Sequence, residues 1–356
     1  MDVSVLSLGC MRFPSEEQAQ PIVAKAIACG INYFETSIGY SDSELWLGKA
    51  LGADRKKILL STKSAPGEDG CMTADEARRK IDSSLSRLKT DYLDFYHAWR
   101  TNNRKKYESL TAKGGWLEGV LKARDEGLIR HVGITSHSTP EHIHEIIKDG
   151  LFEVLTVQYS LILSSYKPVV AEAAKRGMGV VIMGPLAGGL LTNPSPVLKE
   201  ALGGDDQIAG AFRYVLSDPA VSTIASGMTS AAQVEENCAR IDAMPEKLSI
   251  DFQQQADRRI RAAMGDNLNQ FETVLCGGCR YCGSICPKGL GPHNIFKAYN
   301  MAMLGAEVSF GQRQQERAKY ILDNCTRCGK CETVCPQKIN VSQHMETVFK
   351  FFQGKK

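Results

Sequence analysis

Eight of the twelve cysteines in this 356-residue chain lie near its C-terminal end. They form two copies of the pattern C-x₂-C-x₂-C-x₃-C-P, "CGGCRYCGSICP" (276–287) and "CTRCGKCETVCP" (325–336). In such pairs the first three thiolates of each copy bind one [4Fe–4S] cluster, and the fourth crosses to the other cluster. The spacing therefore predicts two clusters, one bound by Cys276, Cys279, Cys282 and Cys335, and the other by Cys325, Cys328, Cys331 and Cys286.

Zinc and disulfides are the alternatives for these cysteines. A zinc site needs four ligands and rarely shows this spacing, and disulfides are uncommon in a reduced compartment. Helix-like runs at 292–307 and 313–324 separate the motifs. They favour a helical ferredoxin-like domain over 271–356, after a helical linker at 246–270. The remaining cysteines have no metal-binding spacing and are predicted to be buried thiols: Cys10, Cys29, Cys71 and Cys238.

The first part of the chain, 1–245, alternates apolar or β-branched runs with amphipathic stretches. The predicted strands are 3–9, 31–36, 57–63, 91–97, 131–135, 153–160, 178–184 and 221–226. Segments such as 15–30 and 73–89 are predicted helices. Thr73 and Glu76 form a capping-box pattern, and glycines at 30, 127 and 177 fall where helices should end. Eight strands joined by helical crossovers predict a closed (β/α)₈ TIM barrel.

Enzymes built on such barrels carry their chemistry at the C-terminal ends of the strands. The residues predicted at those ends are Glu35, Tyr40, Lys63, His97, Trp99, Ser136 and Gln158, with the loops after 184 and 226. One of these strands, "DYLDFYHAWR" (91–100), ends with His97 and Trp99 two residues apart. They share a face if the segment is extended.

Composition excludes several classes of protein. With 43 Lys+Arg against 40 Asp+Glu, the net charge is +3, which gives no reason to expect a nucleic-acid or membrane-surface protein. No apolar run approaches the roughly 20 residues of a membrane span, and no signal-peptide pattern opens the chain. We therefore expect a cytoplasmic protein. The basic run Arg104–Lys106 is predicted to be a solvated loop, with a docking patch for an acidic electron carrier as the alternative.

Together these segments resemble the aldo-keto reductases, in particular the branch with a C-terminal iron–sulfur domain. The resemblance covers essentially the whole chain. It rests on "SLGCMRFP" (7–14), "GINYFETSIGYSDSELWLGKAL" (30–51), "LLSTK" (59–63), "GLIRHVGITSH" (127–137), "GPLAGGLL" (184–191) and "SGMTSAAQVEEN" (226–237). It implies an oxidoreductase that transfers hydride between NAD or NADP and a small carbonyl or alcohol substrate.

The resemblance also implies a catalytic set of Asp, Tyr, Lys and His. Tyr40 matches the tyrosine and Lys63 the lysine, whose ammonium would tune a phenol with a reference pKa near ~10 into a proton donor. Glu35 stands where aspartate is usual, since "FET" replaces "FDT". The charge is kept with a longer reach. A merely structural carboxylate is the alternative for Glu35.

The family's histidine has two candidates here. Counting from Asp91 without a gap reaches Trp99, whereas a two-residue deletion in the strand brings His97 into register. We predict that His97 is the hydrogen-bond donor to substrate. The competing assignment makes Trp99 a hydrophobic wall with one N–H donor. Carbonyl polarisation would then fall to Tyr40 alone, and ordinary ketone reduction would be in doubt.

A nicotinamide cofactor site is likewise implied by the resemblance. Ser136 and Gln158 match positions that bind the carboxamide, and the loop after the seventh strand matches a pyrophosphate site. The full implied set is Met11, Arg12, Ser136, Gln158, Gly184, Pro185, Leu186, Gly188, Gly227, Met228, Gln233, Glu236 and Asn237. Gln233 replaces an arginine that usually holds a 2′-phosphate, which puts NADP preference in doubt. Arg12 is a guanidinium for an anionic group or an ordinary surface residue.

Two functions remain open at this point. As an enzyme, the chain would move hydride in the barrel while its clusters relay single electrons to a ferredoxin or flavoprotein. Because a two-electron hydride cannot enter one-electron clusters directly, this needs a flavin or a radical-tolerant substrate as an intermediary. Otherwise, the clusters are structural. Alternatively, the chain is an electron-transfer or redox-complex subunit whose barrel has lost or changed its reductase chemistry.

Overall fold

The computed structural model describes residues 1–65, 72–101, 103–204, 206–265, 267–306, 312–335 and 337–354. The chain divides into two compact units. The first comprises Met1–Tyr159, Ser164–Pro185 and Val215–Leu248, and the second Ser160–Leu163, Leu186–Tyr214 and Ser249–Lys356. The domain boundaries expected at 245 and 270 remain predictions. Within the described ranges, no helix has the length and apolar character needed to cross a membrane.

Parallel strands form a closed barrel in the first unit. They are β1 (Leu6–Gly9), β2 (Tyr33–Glu35), β3 (Leu59–Ser64), β4 (Leu93–Ala98), β5 (Ile129–Ser136), β6 (Val154–Gln158), β7 (Gly179–Met183) and β8 (Thr223–Gly227). Neighbours in sequence pair in parallel, and β8 closes on β1 with Gly9 opposite Gly227. All eight predicted strands are present, with ends shifted by a few residues. The predicted TIM barrel is confirmed.

Helices follow the strands. They are α1 (Glu16–Ala28), α2 (Ser43–Leu51), α3 (Ala74–Leu88), α4 (Arg104–Thr111), α5 (Trp116–Asp125), α6 (Pro140–Lys148), α7 (Lys167–Lys175), α8 (Pro196–Leu202), α9 (Gln207–Leu216) and α10 (Ala231–Asp242). The predicted capping box at the start of α3 is present, because Thr73 and Glu76 satisfy each other's backbone N–H groups. Glycines 30, 127 and 177 all have positive φ, as helix-ending residues commonly do.

Two local predictions are wrong. The run Arg104–Lys106 is not a loop but the first turn of α4, because the Asn103 side chain accepts a hydrogen bond from the Lys106 N–H and caps the helix. Among the scattered cysteines, Cys10 and Cys238 are buried as predicted, but Cys29 is exposed at the end of α1. Cys71 lies outside the described residues.

The interior of the barrel is layered. Tyr33, Phe95, Val154 and Ala225, from the alternate strands β2, β4, β6 and β8, form one apolar cluster together with Val181 of β7, and the four alternate-strand residues follow the layering expected of such barrels. Because side chains on a strand repeat every two residues, the next interior positions on β2 and β4 are Glu35 and His97. The apolar layer thus forms a floor below the polar residues of the mouth.

The outer face of β4 is fixed by a buried carboxylate. Asp94 accepts hydrogen bonds from the Leu60 N–H at 2.9 Å and from Arg55 at 2.9 Å, and it pairs with Arg130 at 2.7 Å. These contacts join β4 to both of its neighbours. They hold the strand that carries His97 in one register, with Lys63 opposite His97.

The C-terminal part of the second unit is helical. It contains α11 (Ile250–Met264), α12 (Asn267–Val274), α13 (Tyr281–Ile285), α14 (His293–Met303), α15 (Gln312–Asn324), α16 (Lys330–Thr333) and α17 (Val341–Gly354). Phe296, Ile321, Val348 and Phe352 are among the apolar side chains buried between these helices. The helix-like runs predicted at 292–307 and 313–324 correspond to α14 and α15. The prediction that the region around the cysteine motifs is helical is therefore confirmed.

Candidate functional site

A lysine and a carboxylate meet at the mouth of the barrel beside a tyrosine. Lys63, at the end of β3, is ion-paired with Glu35 at the end of β2. Its ammonium also donates to the Thr36 carbonyl at 3.0 Å. The same nitrogen lies 4.5 Å from the centroid of the Tyr40 ring. Three of the predicted catalytic residues are therefore in one group.

Burial governs the charge of Lys63. Only 2% of the residue is exposed, and this desolvation lowers the pKa of its ammonium to about 7. The paired Glu35 carboxylate opposes the shift, because an adjacent negative charge favours the protonated lysine. The site thus contains an ammonium that loses its proton much more readily than an exposed lysine does.

Trp99 is a neighbour of Tyr40. The two rings pack edge to face, with 5.5 Å between centroids and an interplanar angle of 80°. The backbone N–H of Trp99 donates to the Ser64 carbonyl at 2.9 Å, so the pairing of β4 with β3 continues to this residue. Gly39 leaves the space for the indole, since a Cβ there would come within 2.6 Å of it. Trp99 therefore lies next to the phenol of Tyr40, and its assignment as a hydrophobic wall with one N–H donor stays a prediction.

His97 lies two residues earlier on the same strand face. It is 2% exposed, and its ring packs where a Cβ on Gly133 would overlap it. Burial lowers the pKa of His97 to about 3, and the Lys63 charge acts in the same direction. The imidazole is therefore neutral near pH 7. Its assignment as the substrate's hydrogen-bond donor stays a prediction.

Unusual backbone conformations follow two of these aromatic residues. Ser41, directly after Tyr40, has φ 49°, and Arg100, directly after Trp99, has φ 61°. Left-handed conformations of non-glycine residues cost free energy and cluster at functional sites. The Arg100 guanidinium carbon lies 4.5 Å from the Trp99 ring centroid. Sequence reasoning missed Arg100, and its position right after the strand was the only signal.

The predicted carboxamide pair is held by hydrogen bonds inside the barrel unit. The Ser136 hydroxyl donates to the Thr101 carbonyl at 3.2 Å and accepts from the Ser138 N–H at 3.0 Å. The Gln158 amide donates to the Tyr166 hydroxyl at 3.0 Å. Both side chains are buried at the C-terminal ends of their strands.

His137 is a second residue that the sequence reasoning missed. Its Nδ1 lies 3.3 Å from the Gln158 amide oxygen. Burial lowers the pKa of His137 to about 4, with Lys63 and Arg100 contributing in the same direction. It directly follows the Thr135–Ser136 pair, and that adjacency could have singled it out.

The positions matched to the adenosine end are divided between surface and interior. Met228 and Asn237 are buried, whereas the exposed Glu236 lies 3.5 Å from Arg240. The Gln233 amide oxygen accepts from the Thr229 N–H at 2.8 Å, near the start of α10. Gln233 therefore helps to cap this helix.

Arg12 and Gly227 lie next to each other where β1 and β8 end. Both Met11 and Arg12 are exposed. The aliphatic part of Arg12 passes over Gly227. A Cβ placed on this glycine would lie 3.2 Å from the arginine Cδ. This places Arg12 next to the ends of β1 and β8, and its role as a guanidinium for an anionic group stays a prediction.

The loop after β7 also has left-handed turns. Gly184 is exposed with φ 66°, and Pro185 is buried. Leu186 is half-buried and belongs to the second unit, where Gly188 and Gly189 have φ 68° and 89°. A Cβ on Gly188 would overlap the Gly277 carbonyl oxygen. The loop matched to pyrophosphate binding therefore touches the peptide between the first two cysteines of the first motif.

The two cysteine motifs have the same backbone pattern. Gly278 and Arg280, with φ 66° and 69°, flank Cys279, and Arg327 and Gly329, with φ 53° and 72°, flank Cys328. Alternating left-handed residues curl the chain, so that neighbouring thiols and backbone N–H groups turn toward a common point. Each motif uses one glycine and one arginine for these positions, in opposite order.

Several cysteines of the two motifs lie near one another, while their division into two ligand sets stays a prediction. Burial raises the pKa of Cys276 to about 12, and charges on Cys279, Cys282 and Cys335 act in the same direction. The residues lining one cavity include Cys286, Cys325, Cys328 and Cys331. Over the residues that can be described, no three metal-binding side chains converge as ligands of a single ion would.

Comparison with known proteins agrees with both halves of this description. The aldo/keto reductase family model matches residues 5–201, and the 4Fe-4S dicluster domain model matches residues 275–340. L-galactose dehydrogenase of Arabidopsis thaliana is 30% identical over 266 residues, covering 67% of this chain and 82% of that protein. The uncharacterized oxidoreductase YqkF of Bacillus subtilis (strain 168) is 27% identical over 272 residues, covering 67% of this chain and 87% of that protein.

A solved structure shows the same fold. The aldo-keto reductase AKR11C1 from Bacillus halodurans, in its holo form, superposes with a TM-score of 0.64 at 28% identity. The match covers 75% of this chain and 95% of that one. This chain therefore belongs to the aldo/keto reductase family, as an oxidoreductase with a C-terminal 4Fe-4S-binding domain.

Proposed function

We propose that the barrel transfers a hydride between a nicotinamide cofactor and the carbonyl or alcohol carbon of a small substrate. The observation that carries the proposal is the group of Tyr40, Lys63 and Glu35. An ammonium lies 4.5 Å from the phenol ring centroid and is itself held by a carboxylate. This is the arrangement that lets a phenol act as a proton donor near neutral pH.

Each residue has one part in the reaction. In the reductive direction a C–H bond forms at the carbonyl carbon, the π electrons move to oxygen, and the oxygen takes the Tyr40 proton. The Lys63 charge stabilises the phenolate left behind. Glu35 keeps the ammonium protonated and in place. Bound nicotinamide supplies the hydride in this direction and accepts it in the other.

His97 and Trp99 are the two candidates for the remaining role, contact with the substrate beside Tyr40. The edge-to-face contact with Tyr40 favours Trp99 as the wall of the substrate space. His97, neutral and opposite Lys63 in the register of β3 and β4, is the candidate donor to a substrate that reaches deeper. If Trp99 alone faces the substrate, polarisation of the carbonyl rests on Tyr40.

The proposal includes two [4Fe–4S] clusters. Cys276, Cys279, Cys282 and Cys335 bind the first cluster, and Cys325, Cys328, Cys331 and Cys286 bind the second. The grouping of the thiols and the shared left-handed pattern support this assignment. Clusters bound here would relay single electrons to or from a ferredoxin or flavoprotein, and coupling them to hydride transfer would require a carrier such as a flavin. A reducing, cytoplasmic location suits these thiolates and remains a prediction.

One observation favours a second function. Ser136 and Gln158, matched to carboxamide binding, already make hydrogen bonds to Thr101 and Tyr166. A barrel that does not bind nicotinamide would leave the chain as an electron-transfer or redox-complex subunit. In that case Tyr40 and Lys63 would serve another ligand.

Nucleotide binding separates the two functions. Anaerobically purified protein is assayed for iron and sulfide, and is then titrated with NADH and with NADPH while nucleotide fluorescence is followed. We expect saturable binding of at least one nucleotide. Protein with intact clusters that binds neither would refute the hydride-transfer proposal and favour the second function.

A further inference from the structure

The two halves of the cluster region are alike beyond their cysteines. Gly289 and Lys338, each three residues after the last cysteine of its motif, have φ 59° and 51°. The next residues, Leu290 and Ile339, are both buried, at 4% and 3% exposure. Each half then enters a helix, α14 or α17. Seven residues after the last cysteine the halves differ, because His293 stands in one and Ser342 in the other.

His293 contacts a cysteine of the first half. Its Nδ1 lies 3.7 Å from the sulfur of Cys282. The ring occupies a space left by two glycines, since a Cβ on Gly283 would be 3.2 Å, and one on Gly291 3.4 Å, from its Cε1. An iron-bound thiolate can only accept a hydrogen bond, so Nδ1 must carry the proton and donate it.

The second half has a carboxylate at the corresponding place. Glu332 follows Cys331 as Gly283 follows Cys282. One carboxylate oxygen of Glu332 accepts hydrogen bonds from the Ser342 N–H at 2.9 Å and the Ser342 hydroxyl at 2.8 Å. The carboxylate is thereby held at the wall of the cavity that Cys286, Cys325, Cys328 and Cys331 share.

We propose that this difference between the two halves gives the clusters unequal reduction potentials. His293 raises the potential of the first cluster, and Glu332 lowers the potential of the second. The inference rests on the two-cluster assignment above. Reduction adds one negative charge to a cluster. An N–H donated to a ligand sulfur stabilises that charge, and a nearby carboxylate repels it.

The unequal reduction potentials favour electron transfer from the second cluster to the first. Cys328 is exposed, so the second cluster is the accessible one. An external one-electron carrier protein would reduce the bound second cluster, which would be reoxidised as it passes one electron to the first. The first cluster's cysteine loop touches Gly188 through the Gly277 carbonyl.

An EPR-monitored redox titration of the full-length iron-loaded protein at fixed pH tests the inference. We expect two separate midpoints in the wild type. His293→Leu lowers only the higher one, and Glu332→Gln raises only the lower one. His293→Asn, which keeps a donor near the Nδ1 position, matches the wild type. Asp323→Asn removes an exposed carboxylate paired with Lys319 and leaves both midpoints unchanged.

Several results would overturn it. The inference fails if the wild-type clusters are reduced together, if both variants move the same midpoint, or if His293→Asn behaves like His293→Leu. Iron analysis tells this failure from failure of the proposed function. A chain with eight irons and unaltered midpoints refutes only the tuning. A chain with four irons refutes the two-cluster assignment, and the tuning with it.

Discussion

The indole of Trp99 meets the phenol of Tyr40 edge to face, with 5.5 Å between the ring centroids. His97 shares the strand face of Trp99 but lies one layer deeper, opposite Lys63. Trp99 therefore lies next to Tyr40, the proposed proton donor, whereas His97 lies deeper in the barrel. This relationship makes the roles of His97 and Trp99 separable by mutation.

Trp99→Ala is expected to lower kcat/KM for reduction of an aldehyde about tenfold, because without the indole packed against it the Tyr40 ring is held less firmly in position for proton transfer. His97→Asn keeps a polar donor in the deeper layer and is expected to change kcat/KM less than about threefold. Steady-state kinetics of both variants provide the measurement. A larger loss at position 97 would support His97 as the hydrogen-bond donor to the substrate.

Tyr40→Phe removes the proposed proton donor and leaves the ring. We expect kcat for carbonyl reduction to fall by about 10²–10⁴-fold, the usual contribution of a positioned acid. Nucleotide affinity, measured by fluorescence, should stay close to that of the wild type. Unchanged turnover would remove Tyr40 from the mechanism.

The pH dependence of reduction follows from Lys63. Its pKa, lowered by burial to about 7, means that the ammonium is present below this pH and is lost above it. Since the positive charge stabilises the Tyr40 phenolate, kcat for reduction should fall as pH rises through this range. Lys63→Arg retains its charge throughout, so its kcat should be lower but vary less with pH. An equally steep decline in the arginine variant would assign the pH dependence to another group.

Much of the fold followed from local patterns in the sequence. Alternating strands and helices predicted the barrel, and cysteine spacing predicted the two thiol groups, because both signals repeat at short range. The sequence could not choose between His97 and Trp99, since residues two apart share a strand face. The choice depends on where the Tyr40 loop lies, which is set by tertiary packing.

Other features could not be predicted from the sequence, because they depend on single side chains or on contacts between residues far apart in the chain. The run Arg104–Lys106 begins a helix and not a loop because the Asn103 side chain accepts a hydrogen bond from the Lys106 N–H. The contact between Gly188 and Gly277 joins residues far apart in the chain. His293 reaches Cys282 only because α14 begins where the ring fits between Gly283 and Gly291.

Gly188 and Gly189 form a matched pair for testing that contact. Both have positive φ, so alanine at either costs roughly 1 kcal/mol of backbone strain. A Cβ at Gly189 meets no atom within 4 Å, whereas one at Gly188 overlaps the Gly277 carbonyl oxygen. Gly188→Ala should therefore lower Tm further than Gly189→Ala and reduce the iron content. Equal Tm and iron values for the two variants would contradict the contact.

The central claim is that the barrel moves a hydride directly to carbon. It is tested most directly with nicotinamide carrying deuterium at the transferable C4 position and an aldehyde substrate, under anaerobic conditions. The account predicts that the alcohol product contains one deuterium on its carbinol carbon. Alcohol formed without deuterium, with the label retained on the nucleotide or lost to water, would contradict it. That result would indicate that the electrons reach the substrate by another route.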